Sequence, residues 1–122
     1  KIKVFGGSQV RPNIHIKDMI RVYLHFLKKN IKPGVYNAGF ENISIINLAK
    51  KIRKRVKCAI QISKTNDPRS YRQNSDKLIR TGFKQKYSVD DAINDIIYYY
   101  NNKKIKNQKI CFTVDWMKKL NL

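Results

Sequence analysis

The chain has 122 residues, which fits one domain and leaves no room for two ordinary ones. Its 42% hydrophobic and 29% charged residues, with only five Gly and three Pro, argue against a disordered, collagen-like or coiled-coil protein. The formal net charge of +19 would attract nucleic acid or anionic lipid, but no apolar run approaches the roughly 20 residues of a membrane span.

Short strands and amphipathic helices alternate along the chain without repeats, which predicts a mixed α/β fold. The first strand is expected directly at the N-terminus. Because no Met precedes it, we expect the chain to be the C-terminal piece of a longer protein. The predicted strands and extended segments are Lys1–Phe5, Pro12–Ile16, Val35–Ala38 and Ala59–Ser63.

The first two helices are marked by polar residues that can cap an N-terminus. Asp18 is expected to cap a helix that runs to about Lys29, and Ser44 is expected to cap a second helix. The apolar residues of the first helix recur at helical intervals, at Ile20, Tyr23, Leu24 and Leu27. The predicted buried stripe of the second helix consists of Ile45, Leu48, Ala49, Ile52 and Val56.

Two more helices are predicted in the second half of the chain. A short helix over Ser75–Arg80 is expected to stop at Gly82, a residue suited to a left-handed cap. Ser88 and Asp91 form a capping-box variant that opens a third long helix. The predicted buried face of that helix consists of Val89, Ile93, Ile96 and Tyr100.

The basic residues are mostly Lys and are spread from Lys1 to Lys119, as an AT-biased coding sequence would produce. One cluster, residues 50–57, keeps Ile52 and Val56 at helical spacing and therefore predicts the solvated face of a helix. A basic nucleic-acid-binding or scaffold domain without catalysis remains the alternative function.

The residue types that often carry catalysis form no recognisable constellation. Cys58 and Cys111 form no CxxC pair, which indicates reduced thiols in a cytoplasmic protein rather than a metal site or disulfide. His15 and His25 have no carboxylate at triad or ligand spacing, so we expect packed or surface histidines. A Gly-rich phosphate loop and a Tyr-x-x-x-Lys pair are missing, so no catalytic residue is predicted in this chain.

Three polar side chains in predicted loops or near strand ends could converge on an anion: Arg11, Asn37 and Arg69. Arginine forks match phosphate oxygens bidentately, and loops at strand ends often carry binding sites. Their spacing alone favours three unrelated surface residues over a shared site. Both interpretations stay open at this point.

Several motifs occur in the order seen in one enzyme family. Val4–Asp18 carries an Arg, an apolar-His-apolar step and an Asp at a predicted helix start, and Gly34–Gly39 reads Gly-Val-Tyr-Asn-Ala-Gly. The later segments are Ser44–Ala49, Asp67–Arg72, Ser75–Leu78, Gly82–Phe83 and Ser88–Ile97. Over about residues 2–100 the chain resembles the C-terminal substrate domain of extended short-chain dehydrogenase/reductases, the NAD-dependent nucleotide-sugar epimerases and dehydratases.

The resemblance implies that residues 1–102 form a substrate-binding domain, with a Lys/Asn-rich spacer and tail over residues 103–122. It implies that the N-terminal Rossmann domain lies outside this chain, and that Asp18 is a structural helix cap. The residues implied to contact the diphosphate of a nucleotide sugar are Arg11, Asn37, Arg69, Tyr71 and Arg72. The tail residues that could pack are Phe112, Val114, Trp116 and Leu120.

The resemblance also sets expectations about cofactor and partners. NAD is implied for the intact enzyme and is not expected to bind this chain alone, while a homodimer would be compatible with the intact enzyme. The chain departs from the family at Asp67-Pro68-Arg69, where several members carry an Arg-Pro-Gly-Asp type sequence. An isolated substrate domain is expected to expose an apolar face near Ile14, Ile16 and the helix of Ile20–Leu27.

Overall fold

Short strands and helices alternate along the chain, which confirms the predicted mixed α/β class. The computed structural model describes residues 1–65, 67, 69–105, 116–118 and 120. The strands are β1 (Ile2–Phe5), β2 (Val10–Asn13), β3 (Glu41–Ser44) and β4 (Ile60–Ser63). The helices are α1 (Ile16–Lys28), α2 (Ile45–Arg55), α3 (Asp76–Ile79) and α4 (Val89–Asn101).

The strands form two separate pairs. β1 and β4 run parallel with Val4 opposite Ile62, whereas β2 and β3 run antiparallel with Arg11 opposite Ile43. The turn between β1 and β2 is closed by Gln9, whose side chain accepts from the Gly7 amide at 2.5 Å and donates to the Phe5 carbonyl at 3.0 Å. This turn fixes the start of β2 and therefore the position of Arg11, the second residue of that strand.

The hydrophobic core lies between α1, α3 and the turn after α3. Val22, Leu78 and Phe83 are its buried centre. Phe40 stacks on Phe83, with ring centroids 5.7 Å apart. The half-buried residues packed against this centre are Ile14, Phe26, Tyr36, Ala38 and Phe40.

The prediction that Asp18 caps α1 is wrong. The cap lies three residues earlier, at His15, whose Nδ1 atom accepts from the Lys17 amide at 3.0 Å. Asp18 stands in the first turn, fully buried, and accepts from the amides of Lys86 at 3.0 Å and Tyr87 at 2.8 Å. Its carboxylate therefore ties α1 to the segment that leads into α4.

Two predicted extended segments need correction. Val35–Ala38 is not a strand, because the neighbouring Gly39 amide and carbonyl bond to the Ser75 hydroxyl instead of to a strand. The segment Pro12–Ile16 is extended only as far as Asn13, where Phe40 donates its amide to the Asn13 carbonyl, before α1 begins at Ile16.

The predicted caps at Ser44 and Ser88 and the predicted short helix are confirmed. The Ser44 hydroxyl accepts from the amide of Asn47 at 3.4 Å, at the start of α2. Ser88 and Asp91 form the capping box of α4, with bonds of 3.1 and 2.8 Å. Gly82 follows α3 with a φ of +87°, the left-handed conformation expected there.

The helix faces match the predictions only in part. Ala49 of α2 is buried as expected, but Val56 is exposed. On α4, Ile96 and Tyr100 are 61% and 73% exposed, so their predicted burial is wrong. Val89 and Ile93 are the buried residues of that helix. No helix in the described part of the chain is long and apolar enough to cross a membrane.

The outer face of α1 is apolar and uncovered, as the sequence predicts. Ile16, Tyr23 and Leu27 are 68%, 66% and 82% exposed, and Ile20 and Leu24 lie on the same face with about half of their surface exposed. The expectation fails for Ile14, which packs half-buried against the core.

The tail prediction falls largely outside the described residues, since Phe112 and Val114 are not among them. Trp116 and Leu120 are 40% and 48% exposed. Cys58 is a half-buried free thiol, and Cys111 also lies outside the described residues.

Candidate functional site

Arg11 occupies the centre of the candidate site. Because β2 places it opposite Ile43, its backbone is fixed by the antiparallel pair. Its guanidinium donates to the carbonyl of Arg69 and lies 3.5 Å from the Asp67 carboxylate. It also lies over the Tyr71 ring, 4.9 Å from the centroid, which favours a cation–π contact.

Asp67 and Arg69, two residues apart in the loop after β4, form a bidentate ion pair. Arg69 donates from Nε at 2.7 Å and from Nη2 at 2.9 Å, one bond to each carboxylate oxygen. The Arg69 amide adds a third bond to the same carboxylate at 3.1 Å. The Arg69 side chain is nevertheless 77% exposed, so it can also meet a ligand from solvent.

The bonds from Arg69, together with the charge of Arg11, lower the pKa of the Asp67 carboxyl to about 2. The ion pair therefore persists through the acid range in which an ordinary Asp titrates, and it is lost only as pH falls through about 2.

We expect an NMR titration of the Asp67 carboxyl carbon to give a midpoint near 2. Arg69→Ala should raise this midpoint toward the ordinary Asp value of about 3.9. An unchanged midpoint would contradict the assigned pairing.

Ser70 and Tyr71, which follow Arg69, lie beside Val10 at the start of β2. Ser70 accepts from the Val10 amide at 3.0 Å, and the Tyr71 amide donates to the Val10 carbonyl at 3.2 Å. These bonds hold Tyr71 next to Arg11. The structure thus brings together three of the five predicted site residues, namely Arg11, Arg69 and Tyr71.

The described contacts of Asn37 and Arg72 are with residues outside that group. The Asn37 side chain donates to the Asn74 carbonyl at 3.2 Å. Arg72 lines a cleft of about 680 Å³ beside α2, with Lys50 and Lys54 in its wall. The basic cluster of residues 50–57 predicts a solvated helix face; these two lysines are exposed, and they also face this cleft.

The two histidines are packed, as predicted. His15 is 3% exposed, and its Nε2 lies 3.4 Å from the Asp95 carboxylate, a neighbour that the sequence spacing did not reveal. His25 pairs with the Thr81 hydroxyl at 2.8 Å. Groups of three or more His, Cys, Asp or Glu suited to a metal ion do not occur among the described residues.

Parts of the chain are similar in sequence to known reductases. No protein-family model matches the chain. Over 53 residues it is 38% identical to dTDP-4-dehydro-6-deoxy-D-allose reductase of Streptomyces bikiniensis, covering 43% of this chain and 16% of that protein. Over 89 residues it is 25% identical to vestitone reductase of Medicago sativa, covering 69% and 27% respectively.

A solved structure shares the fold. RMD from Pseudomonas aeruginosa, complexed with NADPH, superimposes with a TM-score of 0.64 over 76% of this chain and 32% of its own, at 18% identity. The chain therefore corresponds to about a third or less of the length of each of these proteins.

Proposed function

We propose that this chain is the substrate-binding part of an NAD(P)-dependent nucleotide-sugar epimerase, dehydratase or reductase, and that it holds the diphosphate of the nucleotide sugar. The observation that carries the proposal is the convergence of Arg11 and Arg69 on one carboxylate. Arginine binds carboxylates and phosphates with the same fork. Asp67 thus occupies the position that a phosphate oxygen would take.

In this proposal Asp67 is an internal counter-ion that a diphosphate displaces. The Arg69 side chain is largely exposed, so exchange of one anion for another requires no opening of the core. Tyr71 and Arg72 continue the same segment and would contact the rest of the ligand. Asn37, which is bonded to Asn74, would contribute through a polar contact at the edge of the site.

A dinucleotide site does not fit the residues that the structure describes. The Gly6-Gly7 turn leads from β1 into β2 rather than into a helix, so it offers no helix N-terminus to a pyrophosphate. A Cβ on Gly7 would come within 3.2 Å of the Ile46 side chain, so this glycine serves packing. Binding of NAD(P) is therefore assigned to another domain of the intact enzyme, and this chain positions the substrate.

The test is a calorimetric titration of the 122-residue chain with dTDP, UDP and GDP, which measures the affinity for each nucleoside diphosphate. Arg69→Ala is expected to weaken binding of the preferred diphosphate by roughly ten- to a hundredfold, because a hydrogen bond to a charged group contributes about 1.5–3 kcal/mol. Arg69→Lys should restore only part of the affinity, since an ammonium lacks the planar fork.

Arg80→Ala is the matched control, because Arg80 is also exposed and lies at the end of α3. It should change affinity by less than about twofold, and circular dichroism should show that all variants are folded. Equal losses in Arg69→Ala and Arg80→Ala, both abolished by salt, would favour the alternative of a diffusely basic nucleic-acid-binding domain.

A further inference from the structure

A second basic cleft, of about 460 Å³, lies between the C-terminal half of α1 and the turn after α3. Eight residues line it, of which four are Lys or Arg and none is Asp or Glu. The four cations are Arg21, Lys28, Lys29 and Lys84. None of them contacts the Arg11–Asp67–Arg69 group through a described ion pair or hydrogen bond, so this cleft is separate from the candidate substrate site.

The cleft is shaped by the conformation of Gly82. Its φ of +87° favours glycine, and a Cβ there would lie 3.4 Å from the Lys29 ammonium. Glycine therefore lets Lys29 lie close against the turn. On the same wall the His25 ring is held by the Thr81 hydroxyl at 2.8 Å and meets Phe83 edge-on. These contacts fix the wall of the cleft.

The charges of the cleft are only partly compensated within the protein. Arg21 pairs with the buried Asp18, but the ion pairs of the described residues include none with Lys28, Lys29 or Lys84. Lysines near the C-terminus of a helix are stabilised by the negative end of the helix dipole, without any ligand. That explanation applies to Lys28 and Lys29 but not to Lys84, which lies on a different segment. Three uncompensated ammonium groups around one concave surface favour an anion.

We propose that this cleft binds the phosphate group of a small phosphorylated molecule whose apolar part rests on Leu24, which belongs to its lining and is 43% exposed. Its volume lies within the roughly 300–1,000 Å³ of small-molecule sites. This site shares no residue with the proposed diphosphate site, so either proposal can fail without the other.

The experiment is an amide NMR titration of the 122-residue chain with inorganic phosphate and with AMP. The amides of Gly82 and Lys84 should shift first, and AMP should bind more tightly than phosphate. The double variant Lys29→Gln/Lys84→Gln should weaken AMP binding about tenfold. Arg69→Ala should leave the shifts at this cleft unchanged.

The matched control is Lys3→Gln/Lys57→Gln, which removes the same charge from two exposed lysines outside the cleft. Unchanged AMP affinity in this control supports the site. Equal weakening by both double variants, or shifts spread over all the lysines, would overturn it in favour of a general basic field. Tighter binding of a single-stranded oligonucleotide than of AMP, or equal affinity for phosphate and AMP, would overturn the assignment to a small organic phosphate.

Discussion

Asp18→Ala is expected to lower the free energy of unfolding by about 3–5 kcal/mol, because breaking a buried ion pair leaves its partners uncompensated. The carboxylate is fully buried and accepts from the amides of Lys86 and Tyr87 as well as from the Arg21 guanidinium. Urea unfolding followed by circular dichroism measures the loss. Asp76→Ala, at an exposed position, should cost less than about 1 kcal/mol. Equal losses in the two variants would contradict the role given to Asp18.

Leu78→Ala should cost about 2–5 kcal/mol, since it leaves a cavity in the centre of the core. Leu78 is completely buried against Val22 and Phe83. The adjacent Ile79, 48% exposed on the same short helix, provides the control. Ile79→Ala should lose clearly less stability in the same unfolding experiment. If both variants lost the same amount, the described packing of α3 would be wrong.

The parts of the fold that could be predicted depend on neighbours in sequence. Ser44 and Ser88 cap helices through amides three residues ahead, so the signal and the structure span the same few residues. The turn at Gly82 is equally local, because it needs only a residue that tolerates a positive φ.

The errors arise where distant residues compete with local preferences. Asp18 has the side chain of a good cap, but His15 supplies the cap and the amides of residues 86 and 87, far along the chain, take the carboxylate. Ile96 and Tyr100 follow the helical period of a buried face, yet the structure provides no element to cover them among its described residues. Periodicity marks an apolar face without showing what packs on it.

The candidate site was predictable from the sequence in part, and in part it depends on contacts between distant residues. The resemblance of the sequence to a known family pointed to Arg11 and Arg69, whose contact spans 58 residues of chain. Asp67, whose carboxylate lies between them, stands out in the sequence only as part of a departure from the family pattern. Its pairing with both arginines depends on β2 and the loop after β4 lying side by side, which spacing does not reveal.

The exposed apolar face of α1 has a consequence for mutational scanning. Ile16, Tyr23 and Leu27 already present most of their surface to solvent, so polar substitutions there should cost the fold little. A scan that selects only for folded chains would tolerate Gln at these positions. In the enzyme proposed above, a scan that selects for activity would reject Gln wherever this face meets another part of that enzyme. The difference between the two tolerance profiles, position by position, would map that contact without any structure of the whole.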